Sequence, residues 1–415
     1  MIEKYTSSNG VRIILESMPA VRSVTIGIWV KTGSRNETID NNGISHFLEH
    51  MFFKGTKTRS AQDIAEAFDS IGGQINAFTS KEYTCFYAKV LDTHKELALE
   101  ILADMFFGSS FNEEEMEREK KVVYEEIKMC EDTPDDIVHD LLAKAAYGNH
   151  PLGFPILGTE KQLQSFDQKQ LHKYVEDNYT PDRVVVSVAG NVSSSFIKDV
   201  DSYFGSFTRK ASEEKITKPV FLQEAIYRSK DTEQAHLCLG YHGYEAGNKH
   251  LYPLSIMNNV LGGSMSSRLF QEVREKKGLA YSVFSYHASF IDNGLLTIYA
   301  GTGKDQLEQL EEVIYSTLDH FVKQGLTEKE LRNSKEQIKG NLMLGLESTN
   351  SRMSRNGRNE LLLQNHRSLD DLILEIDGIN DQQVSNVIQE VLEQKPSRAL
   401  IAPNDSKGSN TKINS

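Results

Sequence analysis

Two kinds of hydrophobic pattern alternate along the chain. Short runs of apolar and β-branched residues predict buried strands, whereas longer stretches with apolar residues every three or four positions predict helices. In the first half, the segments are strands at 12–15 and 24–30, helices at 43–53 and 61–71, a pair of strands within 74–90 with its turn at 80–82, and longer helices from Lys95 and Glu113. Neighbouring strands joined by short turns favour a largely antiparallel sheet with helices packed on one face.

A polar stretch divides the chain in two. A strand-like run at 184–189 and a short amphipathic segment lead up to it, and residues 208–218 are polar without periodicity. We therefore expect an α+β protein with two related domains at 1–210 and 219–415, joined by a linker at 208–218. The polar residues after Pro403 predict a mobile tail.

The two halves show signs of duplication. FNEEEM and LTEKEL each place a capping residue, Asn112 or Thr327, before an acidic first turn, as helix starts prefer. The two starts are 215 residues apart, and the same offset aligns His46–His50 with Leu261–Met265. We therefore expect a duplicated domain in which only the first copy carries the histidines.

Composition narrows the classes of function. The 415 residues are 39% hydrophobic and 25% charged, which is ordinary for a soluble protein. No apolar run approaches the roughly 18 residues of a membrane span, and no signal peptide is evident, so a cytoplasmic location is expected. The net charge of −13 disfavours nucleic acid and anionic membranes and suits a basic substrate. Cys85, Cys130 and Cys238 are too few and too scattered for a disulfide framework and predict buried, reduced thiols.

The segment SHFLEHM, residues 45–51, carries the candidate chemistry. On a helix, His46 and His50 lie one above the other, so both rings can bind one metal ion. Glu49 lies three residues after His46 and can take a proton from a water that zinc has made acidic. Since so short a pattern also arises by chance, the spacing alone leaves open a catalytic zinc, a non-catalytic metal and no metal.

A catalytic zinc needs a third protein ligand and one open position. The acidic helix from Glu113 offers Glu119 and Glu126, which share a face because seven residues are nearly two turns. Val122 and Val123 lie between them and are expected on the packed side. We expect one of the two to bind the metal and the other to buttress the site. The neighbouring Glu125 points away and is expected in solvent, and the alternative for the whole helix is a solvated acidic face.

These motifs resemble a known family. His46–His50, followed by MFFKGT, resembles the inverted HxxEH zinc motif of the pitrilysin and insulinase-type peptidases, and most of all their processing-peptidase branch. The resemblance extends over nearly all of residues 1–400 and implies a zinc endopeptidase with one zinc ion per chain. The residues that it assigns are the zinc ligands His46, His50 and Glu126, the catalytic base Glu49 and the supporting acid Glu119.

The resemblance also implies a way of binding substrate. GGQINAFT matches the family's edge strand, where Asn76, Ala77 and Phe78 are expected to receive an extended peptide as an added strand. A plain hairpin strand is the alternative. Arg274 and Tyr281 resemble a pair that holds the substrate carbonyl and stabilises the oxyanion, with a salt-bridged arginine and a packed tyrosine as the alternative.

Assembly and substrate class follow from the same resemblance. Family members of this length pair as clamshells, so a homodimer is expected that encloses a chamber for unfolded peptides, with Arg274 and Tyr281 serving the partner's zinc site. There are two other hypotheses. The chain could be a non-catalytic scaffold or assembly subunit of the same family, or a zinc hydrolase of small molecules. A complete set of zinc ligands argues against the scaffold, and a wide chamber argues against the small-molecule enzyme.

Overall fold

The computed structural model describes residues 2–210 and 216–404, and eleven strands and fourteen α-helices lie in these two ranges. Residues 211–215 of the predicted linker and residues 405–415 of the predicted tail lie outside the described part. The strands are β1 Ile2–Thr6, β2 Arg12–Ser17, β3 Ser23–Val30, β4 Gln74–Thr79, β5 Thr84–Leu91, β6 Val184–Gly190, β7 Ala225–Ser229, β8 Gln234–Gly243, β9 Ala280–Ser289, β10 Gly294–Gly303 and β11 Ser397–Ala402.

The helices account for most of the remaining chain. They are α1 Ile44–Met51, α2 Ala61–Asp69, α3 Lys95–Gly108, α4 Glu113–Asp132, α5 Pro134–Tyr147, α6 Glu160–Ser165, α7 Gln168–Asn178, α8 Phe196–Phe204, α9 Leu251–Leu261, α10 Leu307–Gln324, α11 Glu328–Gly345, α12 Thr349–Leu362, α13 Leu369–Gly378 and α14 Asp381–Leu392. A π-helical segment spans Phe270–Lys276. Every strand and helix predicted above for the first half is present, with ends that differ by a few residues.

Two sheets of similar topology form the framework. The first has the order β1-β2-β6-β3-β5-β4 and the second β7-β11-β8-β10-β9. All neighbouring strands are antiparallel except the pairs β2–β6 and β7–β11. The α+β class and the largely antiparallel sheets are therefore confirmed. Helices α4 and α11 begin 215 residues apart, and Asn112 and Thr327 cap them through backbone N–H groups of their first turns.

The chain forms two compact units, each built from three separate segments. Of the described residues, the first unit contains 2–128, 154–217 without 211–215, and 344–366, and the second contains 129–153, 218–343 and 367–404. Each half of the chain thus lends one helical segment to the other unit. The predicted division at 208–218 did not include this exchange, because helical periodicity shows which face of a helix is apolar and not which sheet that face will cover.

Helix α12 is the segment that the second half lends to the first sheet. The principal core and its helices lie on one face of that sheet, and α12 packs on β2, β3 and β6 from the other. There Trp29 Nε1 donates to Met353 Sδ at 3.2 Å. Gly357 lies against the indole of Trp29 so closely that a Cβ at this position would be well inside van der Waals distance of the ring. A small residue is therefore needed where α12 meets the sheet.

Replacing Gly357 by alanine is expected to destabilise the protein by about 1–3 kcal/mol, the usual range for overpacking a core. The control is Gly340→Ala on α11, where an added Cβ meets no atom within 4 Å. That control should stabilise its helix, since alanine exceeds glycine in helix propensity by about 1 kcal/mol. Urea unfolding of both variants makes the comparison, and equal stabilisation by the two changes would contradict the described packing.

Helix α5 is the segment that the first half lends to the second sheet. Its buried Val138 and Leu142 lie in one cluster with Cys238 and Tyr299 of that sheet. All three cysteines lie in the described part and none forms a disulfide. Cys85 and Cys238 are buried, as predicted, whereas Cys130 is only half-buried. Among the described residues, no helix combines the length and the apolar character that crossing a membrane would require.

Candidate metal centre

Helix α1 separates a core face from a polar face. Ile44, Phe47, Leu48 and Met51 follow the spacing i, i+3, i+4, i+7 and are at most 2% exposed. His46, Glu49 and His50 lie on the other side of the helix, away from these four residues, whereas the polar Ser45 is fully buried and hydrogen-bonded to Tyr174. The same periodicity that anchors the helix therefore presents His46, Glu49 and His50 together.

The start of α1 is held by a buried carboxylate. Glu37 accepts hydrogen bonds from the backbone N–H groups of Gly43 and Ser45 at 2.8 and 2.9 Å and from the Asn42 side chain at 2.8 Å. An acid at a helix N-terminus is stabilising because it satisfies N–H groups that have no partner within the helix. Burial raises the pKa of Glu37, and these hydrogen bonds oppose that rise. Glu37 thus fixes the helix that carries the histidines.

His46, His50 and Glu126 converge. The two imidazole rings lie 4.7 Å apart, and Glu126 Oε2 lies 3.7 Å from His46 Nε2 and 3.5 Å from His50 Nε2. One potential ligand atom from each residue lies within 4.8 Å of the others, the one such group of three or more in the described part of the chain. Ligands about 2.1 Å from a tetrahedral zinc are roughly 3.4 Å apart, so the three side chains fit zinc after small movements.

The electrostatics of the histidine pair also suit a cation. Burial and the neighbouring His50 lower the pKa of His46 to about 4, which leaves this ring neutral with a lone pair to donate. Burial also opposes protonation of His50, but hydrogen bonds to Glu119 and Glu126 outweigh it and raise its pKa to about 9. A proton and a metal ion therefore compete for the same position, and metal binding there should release a proton.

Glu119 and Lys54 form a second layer behind His50. Glu119 Oε1 lies 2.8 Å from His50 Nδ1, and Glu119 Oε2 lies 2.6 Å from Lys54 Nζ. The Glu119 side chain is buried, yet its pKa is lowered because the bonds to His50 and Lys54 outweigh the cost of desolvation. An ionised carboxylate that accepts the Nδ1 proton orients the ring so that Nε2 faces Glu126 and is the nitrogen that can bind a metal.

Replacing Lys54 by methionine is expected to weaken zinc binding by about 10-fold, at the lower end of the usual loss of an outer partner. Without the ammonium group, Glu119 is less firmly ionised and orients His50 less well. Competition with a chromogenic chelator measures the affinity. Lys57→Met is the matched control, since Lys57 is exposed and three residues further on. If both variants bind zinc equally well, Lys54 does not support the site.

Glu49 lies beside the convergent ligands and not among them. Its Oε2 accepts a hydrogen bond of 2.5 Å from Thr79 Oγ1 on strand β4. Burial raises the pKa of Glu49, and the bond from Thr79 opposes that rise. A half-buried carboxylate next to a metal position is the arrangement that a general base requires.

Strand β4 forms one edge of the first sheet. Next to the turn, Ser80 N donates to Tyr83 O at 2.8 Å, so Ser80 and Tyr83 form a hydrogen-bonded pair. Residue pairs of an antiparallel ladder are alternately hydrogen-bonded and non-hydrogen-bonded, which makes Thr79 and Ala77 members of non-hydrogen-bonded pairs. That alternation turns the backbone groups of Ala77 and Thr79 towards the open edge. In agreement, the Ala77 N–H donates to the Asn76 side chain at 2.8 Å. The edge can therefore take an additional strand.

The side chain of Phe78 faces away from that arrangement. Its ring packs edge-on against Trp29 with centroids 5.5 Å apart and also contacts Tyr83. It belongs to the cluster beneath α12 on the opposite face of the sheet. A role of Phe78 in peptide binding remains a prediction, and its side chain has a clear structural role.

Arg274 and Tyr281 lie in the second unit and contact each other. Arg274 Nη1 donates to Tyr281 O at 3.0 Å, and the guanidinium lies over the rings of Tyr281 and Phe270 at 4.5 and 4.8 Å. The Tyr281 side chain is 78% exposed. The pair is therefore organised by cation–π contact while its phenol faces solvent.

One detail of the sequence prediction for α4 is wrong, and several supporting residues were missed. Val123 is fully buried as expected, but Val122 is 53% exposed, because one residue turns the helix by about 100°. Glu125 is exposed, as predicted, and pairs with Lys128. Thr79 and Lys54 lie inside motifs that the resemblance covers, yet nothing local to them indicates contact with Glu49 or Glu119.

Known proteins of one peptidase family are similar to nearly the whole chain. Residues 12–160 match the family described as insulinase (Peptidase family M16), and residues 165–338 match the peptidase M16 inactive domain. The uncharacterized zinc protease YmxG of Bacillus subtilis (strain 168) is 62% identical over 403 residues, which cover 97% of this chain and 98% of that protein. An uncharacterized zinc protease of Streptomyces coelicolor is 40% identical, with 97% and 90% covered.

Two solved structures share the fold. The peptidase M16 inactive domain from Pseudomonas fluorescens has a TM-score of 0.91 at 20% identity, with 98% of each chain covered. A protease from Helicobacter pylori has a TM-score of 0.90 at 24% identity, with 97% of this chain and 99% of that chain covered. Both likenesses concern the fold alone. With the sequence matches, they identify the class of protein: the chain belongs to Peptidase family M16, as its resemblance to the insulinase-type peptidases predicted.

Proposed function

We propose that this protein is a zinc-dependent endopeptidase that hydrolyses unfolded peptides bound as an added strand on β4. The observation that carries the proposal is the convergence of His46, His50 and Glu126 beside Glu49, next to an open strand edge. Relatives at 62% and 40% identity are named zinc proteases, which supports the metal and the class of reaction.

In this proposal His46, His50 and Glu126 hold one zinc ion per chain. When bound, zinc acts as a Lewis acid that makes a water more acidic and polarises the scissile carbonyl. Glu49 accepts a proton from the attacking water and returns it to the leaving amine. Glu119 keeps the His50 ring oriented through Nδ1, and Lys54 keeps Glu119 ionised.

The substrate class is argued from the edge of β4. An extended peptide can pair with the outward backbone groups of Ala77 and Thr79, and such pairing requires a segment without its own secondary structure. Backbone hydrogen bonds do not depend on the side chains of the peptide, so the edge can bind peptides of many sequences. The net charge of −13 suits basic peptides, such as presequence-like segments.

Arg274 and Tyr281 are proposed to hold the substrate carbonyl and to stabilise the oxyanion. The family resemblance supports this role, together with a homodimer that encloses a chamber and shares these residues between subunits. Mixing an Arg274→Ala chain with a Glu49→Gln chain tests the sharing. Activity that returns on mixing supports it, and no recovery despite proven chain exchange argues against it.

The proposed activity is tested with an internally quenched, unstructured peptide. The purified protein should cleave the peptide, lose activity with 1,10-phenanthroline and regain it with added zinc. A folded protein of similar size that lacks extended segments should remain intact under the same conditions. If the protein binds zinc but cleaves no member of a random peptide library, the hypothesis of a non-catalytic scaffold or assembly subunit is favoured instead.

A further inference from the structure

Thr79 lies on the edge strand β4 and is also hydrogen-bonded to Glu49, the proposed general base. Its side chain donates to Glu49 Oε2 at 2.5 Å. Its backbone groups belong to a non-bonded pair with Thr84 and face the open edge of β4. No other residue of β4 is hydrogen-bonded to Glu49 in the described part of the chain. A peptide that pairs with this edge would thus bind the backbone of the residue whose hydroxyl holds the base.

The direction of the hydrogen bond follows from the neighbours. Thr84 Oγ1 lies 3.5 Å from Thr79 Oγ1 but donates its own proton to the backbone oxygen of Thr32 at 2.9 Å. The Thr79 hydroxyl is therefore left to donate to Glu49, whose carboxylate can only accept. The bond is short and charge-assisted, which makes it directional.

We propose that Thr79 is a positioning residue that couples strand addition at β4 to the orientation of Glu49. This inference rests on the proposed peptidase function. While the edge is open, β5 and the turn before it hold the neighbours of Thr79, such as Ser80, but form no hydrogen bond with the outward backbone groups of Thr79 itself. An added strand fixes these groups, and the hydroxyl then holds the Glu49 carboxylate in one orientation. Binding energy from the peptide backbone is in this way used in the transition state, where it raises kcat.

The first test compares Thr79→Val with Thr79→Ser. Valine keeps the β-branched shape that suits a strand but removes the donor, whereas serine keeps the donor. For the valine variant we expect a fall in kcat of about 10- to 100-fold, the usual value of a hydrogen bond to a charged group, with KM changed less than about twofold. The serine variant should retain most of the parental kcat. A valine variant with parental kcat overturns the inference.

The second test varies the length of the peptide. A long peptide can pair along Ala77 and Thr79, and a truncated one with the same cleaved bond cannot. In the parent, kcat should be higher for the long peptide. In Thr79→Val this dependence of kcat on length should disappear, while the dependence of KM on length remains. A variant that keeps the parental length dependence of kcat contradicts the coupling.

A third measurement does not use activity. In the zinc-loaded protein, Thr79→Val and Glu49→Ala are combined in a double-mutant cycle on the free energy of unfolding. Non-additive effects are expected because the two side chains share a hydrogen bond, and additivity would overturn the contact. Zinc content should match the parent in Thr79→Val. If the parent cleaves no peptide, the proposed function and the coupling both fail, whereas an active parent with an unaffected valine variant removes the coupling alone.

Discussion

Replacing Glu49 by glutamine is expected to lower peptide hydrolysis by at least about 100-fold, the lower end of what a positioned general base contributes. Glutamine has nearly the shape of glutamate and can still accept the hydrogen bond from Thr79, but it cannot take a proton. Because Glu49 is not among the three convergent ligands, zinc should remain bound at the parental stoichiometry. Hydrolysis of a quenched peptide and metal analysis of the same sample measure both quantities.

The matched control for that variant is Glu66→Gln. Glu66 is an exposed glutamate on α2, and its carboxylate accepts a hydrogen bond from Gln62. Its activity and zinc content should equal those of the parent. A Glu49→Gln variant that cleaves the peptide at the parental rate would show that another group takes the proton. A variant that loses zinc would instead show that Glu49 contributes to the metal site itself.

Replacing Glu126 by glutamine is expected to remove zinc and, with it, activity. In the part of the chain that the structure describes, Glu126 is the one carboxylate paired with both histidines, at 3.5 and 3.7 Å, and a neutral amide is a poor ligand for zinc. The affinity should therefore fall by more than the roughly 10- to 100-fold that the loss of an outer partner costs. Equilibrium dialysis against a zinc buffer measures the affinity, and excess zinc should restore part of the hydrolysis.

Glu125→Gln provides a stringent control for Glu126→Gln, because it alters the next residue of the same helix. Glu125 is exposed and forms a salt bridge with Lys128. One residue turns a helix by about 100°, so Glu125 points away from the metal site. Zinc affinity and activity should be unchanged. If Glu125→Gln and Glu126→Gln bind zinc equally, the helix does not supply the third ligand, and the proposed function loses its main support.

Local periodicity accounts for the parts of the site that could be predicted. A helix places i and i+4 on one face, so the relation of His46 to His50 could be predicted without any tertiary information. The same reasoning put Glu119 and Glu126 on one face of α4. It failed for Val122 because hydrophobicity alone does not show how wide the buried stripe of a helix is, and α4 buries little beyond Met116, Glu119 and Val123.

The contacts across the sequence could not be obtained in this way. Lys54 to Glu119 and Thr79 to Glu49 join residues 65 and 30 positions apart, and neither pair has a pattern of its own. The sequence could name the acidic helix as a candidate for the third ligand, but the choice of Glu126 as that ligand came only from the family resemblance. Such contacts depend on how helices pack on the sheet, and that packing is decided by the shapes of many side chains together.

The sequence by itself determined the α+β class and most element positions in the first half. It also determined the duplicated helix starts and the pairing of the two histidines. Each of these features depends on residues that are close together in the sequence. Only the tertiary structure decided that α5 and α12 cover the sheets of the opposite halves. It also decided that Thr79, whose backbone faces the open edge of β4, donates a hydrogen bond to Glu49. Helices and strands form from local patterns, whereas the partner of each apolar face is chosen by packing over the whole chain.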